Sequence, residues 1–150
     1  MKSKHPKLLI AVLMGVFAGL YAGCGGKTDQ TTDNTKFTQY YRQGQLLYTT
    51  HCSNCHQPDG SGLARVYPPV DSSDYLENNS EAVACLIRYG ITGPLVVNGI
   101  EFVQPMPGIP TLTDLEIATI MTYIYNTWGR NHGIFEVTQV SETLDNCPAQ

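Results

Sequence analysis

Cys52 and Cys55 stand one helical turn apart, and His56 completes the pentad Cys52-Ser53-Asn54-Cys55-His56. Thiols at that spacing can each form a thioether with a vinyl group of a porphyrin, and Cys-x-x-Cys-His is the attachment pattern of a c-type haem. The adjoining imidazole then reaches the iron from the same side, so the pentad specifies haem c, its orientation and His56 as proximal ligand together. Two other chemistries use paired cysteines. A closed zinc site needs four ligands in a tetrahedron, and the remaining Cys85, Cys147 and His132 supply no second pair at ligand spacing. A thioredoxin-like redox pair follows a strand in an alternating β and α pattern, which is missing here.

The elements that must hold this pentad read as mainly helical. Before it, Tyr40, Gly44, Leu47 and Tyr48 recur at helical spacing and predict a helix from Thr38 to His51. Gly44 inside that helix costs about 1 kcal/mol relative to alanine, which points to close approach of another backbone. The expected neighbour is a helix from Asp114 to Trp128, opened by a Thr113/Glu116 capping box and stopped by Gly129. Its apolar stripe is Ile117, Ile120, Met121, Ile124 and Trp128. Between them, Leu95-Val96-Val97 and Ile100-Glu101-Phe102 flank Asn98-Gly99, a strong signal for a tight β-hairpin, which would aim the loop Gln104-Pro105-Met106-Pro107-Gly108. A segment from Val137 to Leu144 reads as a short amphipathic helix.

The amino terminus reads as an export signal over residues 1–23, with Lys2, Lys4 and Lys7 ahead of an apolar run from Leu8 to Leu20. Tyr21-Ala22-Gly23-Cys24 resembles a bacterial lipoprotein box, in which Cys24 would be acylated; Tyr21 departs from the usual aliphatic residue, and an uncleaved anchor helix is the alternative. Residues 24–36 then form a lipidated tether, because 25–36 carry no large apolar side chain. Its root-mean-square reach is roughly 20 Å. Residues 37–150 make one small domain, with 130–150 as a C-terminal extension.

Export places the chain where thiols are oxidised unless otherwise occupied. Of five cysteines, Cys24 takes lipid and Cys52 and Cys55 take haem, leaving Cys85 and Cys147 to close a disulfide. On a helix near 81–89, Val83, Leu86 and Ile87 share one face while Cys85 points away from it, toward a returning tail. The alternative leaves both thiols unpaired. Removal of the signal leaves 6 basic against 13 acidic residues, a formal charge of −7. Such a surface disfavours nucleic acid and anionic headgroups and suits a partner with a basic docking patch.

Taken together, the Gly44 helix, the pentad, the Pro-flanked Met106 and the aromatic-rich stretch Tyr123-Ile124-Tyr125-Asn126-Thr127-Trp128-Gly129 resemble a class I cytochrome c over nearly the whole domain. The resemblance implies an all-α class I cytochrome c fold around one covalently attached haem c, with the short hairpin at Asn98-Gly99, His56 proximal and Met106 distal. Beside it stands a physical case for Met106. A thioether is a soft ligand, and prolines on both sides stiffen its loop. Met121, the other methionine outside the signal, lies mid-helix on the packing stripe, and His51 and His132 are poorly placed for a distal role. In the family, a proline carbonyl soon after the pentad accepts the proximal imidazole N–H. Tyr67-Pro68-Pro69-Val70 is similar to that segment; Pro68 is the better match, and Pro69 stays open.

An iron held by His and Met has no open position for substrate, and methionine raises the potential. The expectation is therefore an extracytoplasmic, membrane-anchored lipoprotein of the periplasm that passes one electron between redox partner proteins, and not an enzyme. A cytochrome c subunit or module of a larger oxidase, dehydrogenase or nitrogen-oxide reductase is the alternative. A haem peroxidase or gas sensor would need a vacant distal side, against which Met106 argues.

Overall fold

The computed structural model describes residues 30–148. The expected signal peptide (1–23), Cys24 and the first part of the expected tether lie outside the described residues. A compact unit starts at Asp33.

Helix α1 (Gln30–His51) starts well before Thr38, so the later part of the segment read as a tether is helical. The reason is tertiary and cooperative. Lys36 Nζ donates to both carboxylate oxygens of Glu136, at 2.7 and 2.6 Å, from 100 residues away, and Phe37 stacks on Tyr41 with centroids 5.9 Å apart. Once Phe37 to Tyr48 is helical, each residue added upstream gains a backbone bond without a second nucleation cost. Asp33 in the first turn suits the helix dipole.

After α1 the chain turns through α2 (Ser53–His56), α3 (Asp74–Asn78) and α4 (Ser80–Tyr89). Ser73 caps α3 by accepting from the Leu76 amide. The hairpin at Asn98-Gly99 is present as β2 (Leu95–Val97) and β3 (Ile100–Phe102), with Val97 opposite Ile100. Asn98 and Gly99 both have positive φ, 52° and 72°, as a two-residue turn matching strand twist requires. A second ladder was not foreseen: β1 (Gly90–Ile91) pairs antiparallel with β4 (Met106–Pro107), in the register Gly90↔Pro107 and Ile91↔Met106.

Helix α5 (Asp114–Ile124) has the expected capping box, with the Thr113 side chain and Glu116 bonded reciprocally. It ends at Ile124 rather than Trp128, and the stop is not Gly129. Asn126 Nδ2 takes the Thr122 carbonyl and Thr127 Oγ1 the Tyr123 carbonyl. Side-chain donors thus replace the amides that would have continued the helix. All residues from Ile117 to Ile124 are buried, so the expected stripe lies on a helix that is covered all round. The far side is covered by α6 (Val137–Asp145), which packs on both α4 and α5. Thr119 and Thr122, polar in this core, donate to the carbonyls of Glu116 and Ala118.

Gly44 faces α5 as its spacing implied. A Cβ there would lie 1.9 Å from the Thr119 carbonyl oxygen, so the two backbones touch. That contact brings Tyr48, 2 % exposed, against Tyr123 and Trp128, with centroids 5.4 and 5.6 Å apart.

Candidate haem-binding site

The pentad begins where α1 ends. Cys52 is the N-cap position of α2, and the His56 amide bonds back to the Cys52 carbonyl at 2.9 Å. This single turn sets Cys52, Cys55 and His56 at the mouth of a hollow, each half-buried. Tyr48 Oη donates to the Gln57 carbonyl at 2.8 Å and ties the end of the turn back to α1. Burial raises the Tyr48 phenol well above its ordinary value, so it stays a neutral donor.

The imidazole of His56 is pinned by Pro68. Nδ1 lies 2.9 Å from the Pro68 carbonyl oxygen, which can only accept, so Nδ1 carries the proton and Nε2 keeps its lone pair. Burial holds the ring below the ordinary histidine pKa, with the bond to Pro68 opposing. A neutral, oriented imidazole with a free Nε2 is what a metal ligand requires. Of the two prolines left open by the sequence, Pro68 makes this bond.

Two hollows meet at His56. One, of about 610 Å³ with its open mouth included, is walled by side chains such as Tyr48, Val70, Leu86 and Ile120. The other, of about 460 Å³, runs under Phe102 and Pro105. His56, Pro68, Leu95 and Met106 line both. Together they make an apolar slot around these four shared residues. The donor set suits an iron porphyrin: soft sulfur in Met106, nitrogen in His56, and two thiols, Cys52 and Cys55, at the edge. Burial and the neighbouring Cys55 push the Cys52 thiol up to about 12, in keeping with walls that offer no charge.

Met106 owes its place to residues that pattern reading passed over. Gly90, at φ 80°, packs so closely on β4 that a Cβ would lie 2.3 Å from the Met106 carbonyl oxygen. A Cβ on Gly108 would lie 2.4 Å from the Tyr89 carbonyl carbon. The Met106 loop is therefore fastened to the end of α4 backbone to backbone. The glycine after an amphipathic helix and the glycine after Met106-Pro107 were the available signal, but neither named the other as partner.

Met121 is core, 2 % exposed. His51 and His132 are exposed, and His132 Nε2 instead faces Glu77 at 3.5 Å. Cys85 and Cys147 are joined in a disulfide, with Cα atoms 5.8 Å apart. Cys85 is 6 % exposed and looks toward α6, the returning tail.

Comparison with known proteins shows the family. The profile of the family described as cytochrome c matches residues 41–128. Cytochrome c-552 of Thermus thermophilus is 30% identical over 90 residues, covering 57% of this chain and 68% of that protein. The cytochrome c subunit of a quinone alcohol dehydrogenase from Gluconacetobacter polyoxogenes is 31% identical over 89 residues, with 57% and 19% covered. A fructose dehydrogenase cytochrome subunit from Gluconobacter japonicus is 32% identical over 92 residues, with 57% and 18% covered. The chain thus spans about two thirds of the first of these relatives and less than a fifth of the other two. From the match over most of the folded unit, the chain belongs to the cytochrome c family, whose members carry covalently attached haem c and transfer electrons rather than catalyse a reaction.

Proposed function

We propose that the protein is an extracytoplasmic, membrane-tethered carrier of single electrons. In this reading Cys52 and Cys55 bond the haem, His56 and Met106 are its axial ligands, and an acylated Cys24 holds the domain at the membrane. The observation that carries it is the apolar slot lined on both of its parts by His56 and Met106. When bound, haem c supplies a one-electron iron couple whose potential methionine ligation raises.

The chain's own part is positional. Pro68 fixes the plane and tautomer of His56; the α4–β4 backbone contact fixes Met106; apolar side chains wall the slot. With His56 and Met106 both holding the iron, no coordination position would be left for a substrate. The acidic surface favours partners that dock through basic residues. Bacterial c-type cytochromes work outside the cytoplasm, which fits the export signal and the lipoprotein box read at Cys24.

The test is spectroscopic. Ferric protein from cells that mature c-type cytochromes is expected to show the methionine-to-iron charge-transfer band at the red edge of the visible spectrum. Met106→Ala is expected to keep covalent haem, lose the band, and bind carbon monoxide rapidly when reduced. A wild-type protein that binds carbon monoxide as fast as the variant refutes the reading. Radiolabelled palmitate incorporated by wild type and not by Cys24→Ala tests the anchor.

A second reading draws on the two relatives named as cytochrome subunits of dehydrogenases. Under it, the domain serves within a larger dehydrogenase assembly, and affinity purification from native membranes would recover a stoichiometric catalytic partner.

A further inference from the structure

The family match ends at residue 128, yet the chain continues through α6 and the Cys85–Cys147 disulfide. We propose that this extension positions the distal ligand: the disulfide and a Ser141–Asp114–Arg88 relay hold the last turn of α4 in place, and with it the strand that carries Met106. The proposal rests on the reading of Met106 as an axial ligand.

The links run in order through named atoms. Cys147, just past α6, is bonded to Cys85 in the middle of α4. Three residues further along α4, Arg88 Nη2 donates to Asp114 Oδ1 at the start of α5. The other oxygen of that carboxylate, Oδ2, accepts from Ser141 Oγ of α6 at 2.7 Å. Asp114 is therefore shared between the extension and the end of α4. The Arg88 side chain is 17 % exposed and that of Asp114 39 %, so the pair lies at the edge of the fold and is partly screened by solvent.

From α4 to Met106 the connection is backbone throughout. The Ile109 amide donates to the Ile87 carbonyl at 2.9 Å. Gly90 and Ile91 pair with Pro107 and Met106, and a Cβ on Gly108 would lie 2.6 Å from the Arg88 carbonyl oxygen. No flexible side chain lies between the end of α4 and the strand of Met106, so a displacement of one moves the other. Ser141 and Arg88 thus act as positioning residues, touching neither the slot nor the ligand.

A competing ligand binds only when Met106 has swung away, so its apparent affinity scales with the population of the open form. Imidazole added to ferric holoprotein, followed by loss of the charge-transfer band, measures that population. Ser141→Ala is expected to tighten imidazole binding by up to about tenfold, the limit in which the whole worth of a hydrogen bond to a charged group reaches the Met106 strand. The double variant Cys85→Ser plus Cys147→Ser is expected to tighten it at least as much.

Ser141→Thr keeps the hydroxyl and is expected to behave as wild type. Ile117→Val, in the core of α5 and away from the slot, is expected to lower the melting temperature without changing imidazole affinity. Wild-type affinity in Ser141→Ala overturns the proposal, as does an Ile117→Val that tightens binding equally. If the double cysteine variant does not mature, the Ser141 pair decides alone. A wild-type protein without the band refutes Met106 as ligand and removes the basis of the proposal, whereas a band that every variant keeps to the same imidazole concentration refutes the positioning role only.

Discussion

Gly44→Ala sets two physical effects against each other in a way that the structure resolves. In an isolated helix the change is favourable by about 1 kcal/mol. Here the added Cβ would meet the Thr119 carbonyl oxygen at 1.9 Å, the Thr119 carbonyl carbon at 2.6 Å and Tyr123 Cβ at 2.8 Å. Ordinary contact lies near 3.5 Å, so α1 and α5 must part by about 1.5 Å. None of the obstructing atoms is the far end of a flexible side chain, so no rotamer change relieves the clash. Overpacking of a well-packed core costs about 1–3 kcal/mol, occasionally more, and a backbone-on-backbone clash belongs at or above the top of that range. Less the propensity gain, the expected net loss is about 2 kcal/mol. For a domain of this size that lowers the melting temperature by roughly 10 °C. Thermal unfolding of matched ferric holoproteins, followed by far-ultraviolet circular dichroism, measures the shift. An unchanged or raised midpoint refutes the argument, because helix propensity would then outweigh the contact that places Tyr48 beside Tyr123 and Trp128.

Cys52→Ala combined with Cys55→Ala is expected to give a largely unfolded, protease-sensitive chain, since the apolar slot that haem would occupy is lined by residues from across a small domain with limited apolar burial of its own; a cooperative melt near that of the holoprotein would contradict this. The capping box makes an acid-range prediction. The amide and hydroxyl of Thr113 hold the Glu116 carboxyl below the ordinary glutamate pKa, so its stabilisation is complete above about pH 4.3 and is lost as pH falls through the lowered value. Thr113→Ala is therefore expected to destabilise the protein by about 1 kcal/mol near neutrality and to make that acid limb shallower without abolishing it, since the residue 113 amide still donates to Glu116, as denaturant midpoints measured from pH 7 to pH 3 would reveal.

Much of the site was legible because its chemistry is local. Thioether attachment needs two thiols one turn apart and an imidazole beside them, and those demands are written within five consecutive residues. The capping box and the Asn98-Gly99 turn are equally short-range, set by backbone angles and bonds spanning a few residues. Gly44 announced a close neighbour because glycine is costly inside a helix without one.

Other features depend on which segments meet, and one-dimensional order does not encode that. The end of α5 at Ile124 is decided by side chains of Asn126 and Thr127 competing for carbonyls, with Gly133 bonded to both ends of the Asn126 amide. The early start of α1 is supported by Glu136, 100 residues distant. What the sequence alone offered is the candidate donors of this protein, the two sulfurs, the imidazole and the thioether, together with the cysteine pair that the structure joins. Only the tertiary structure decided what lies against the Met106 strand, because Gly90 and Gly108 become a close backbone contact solely when α4 and that strand meet, and residue type cannot name a partner across that gap.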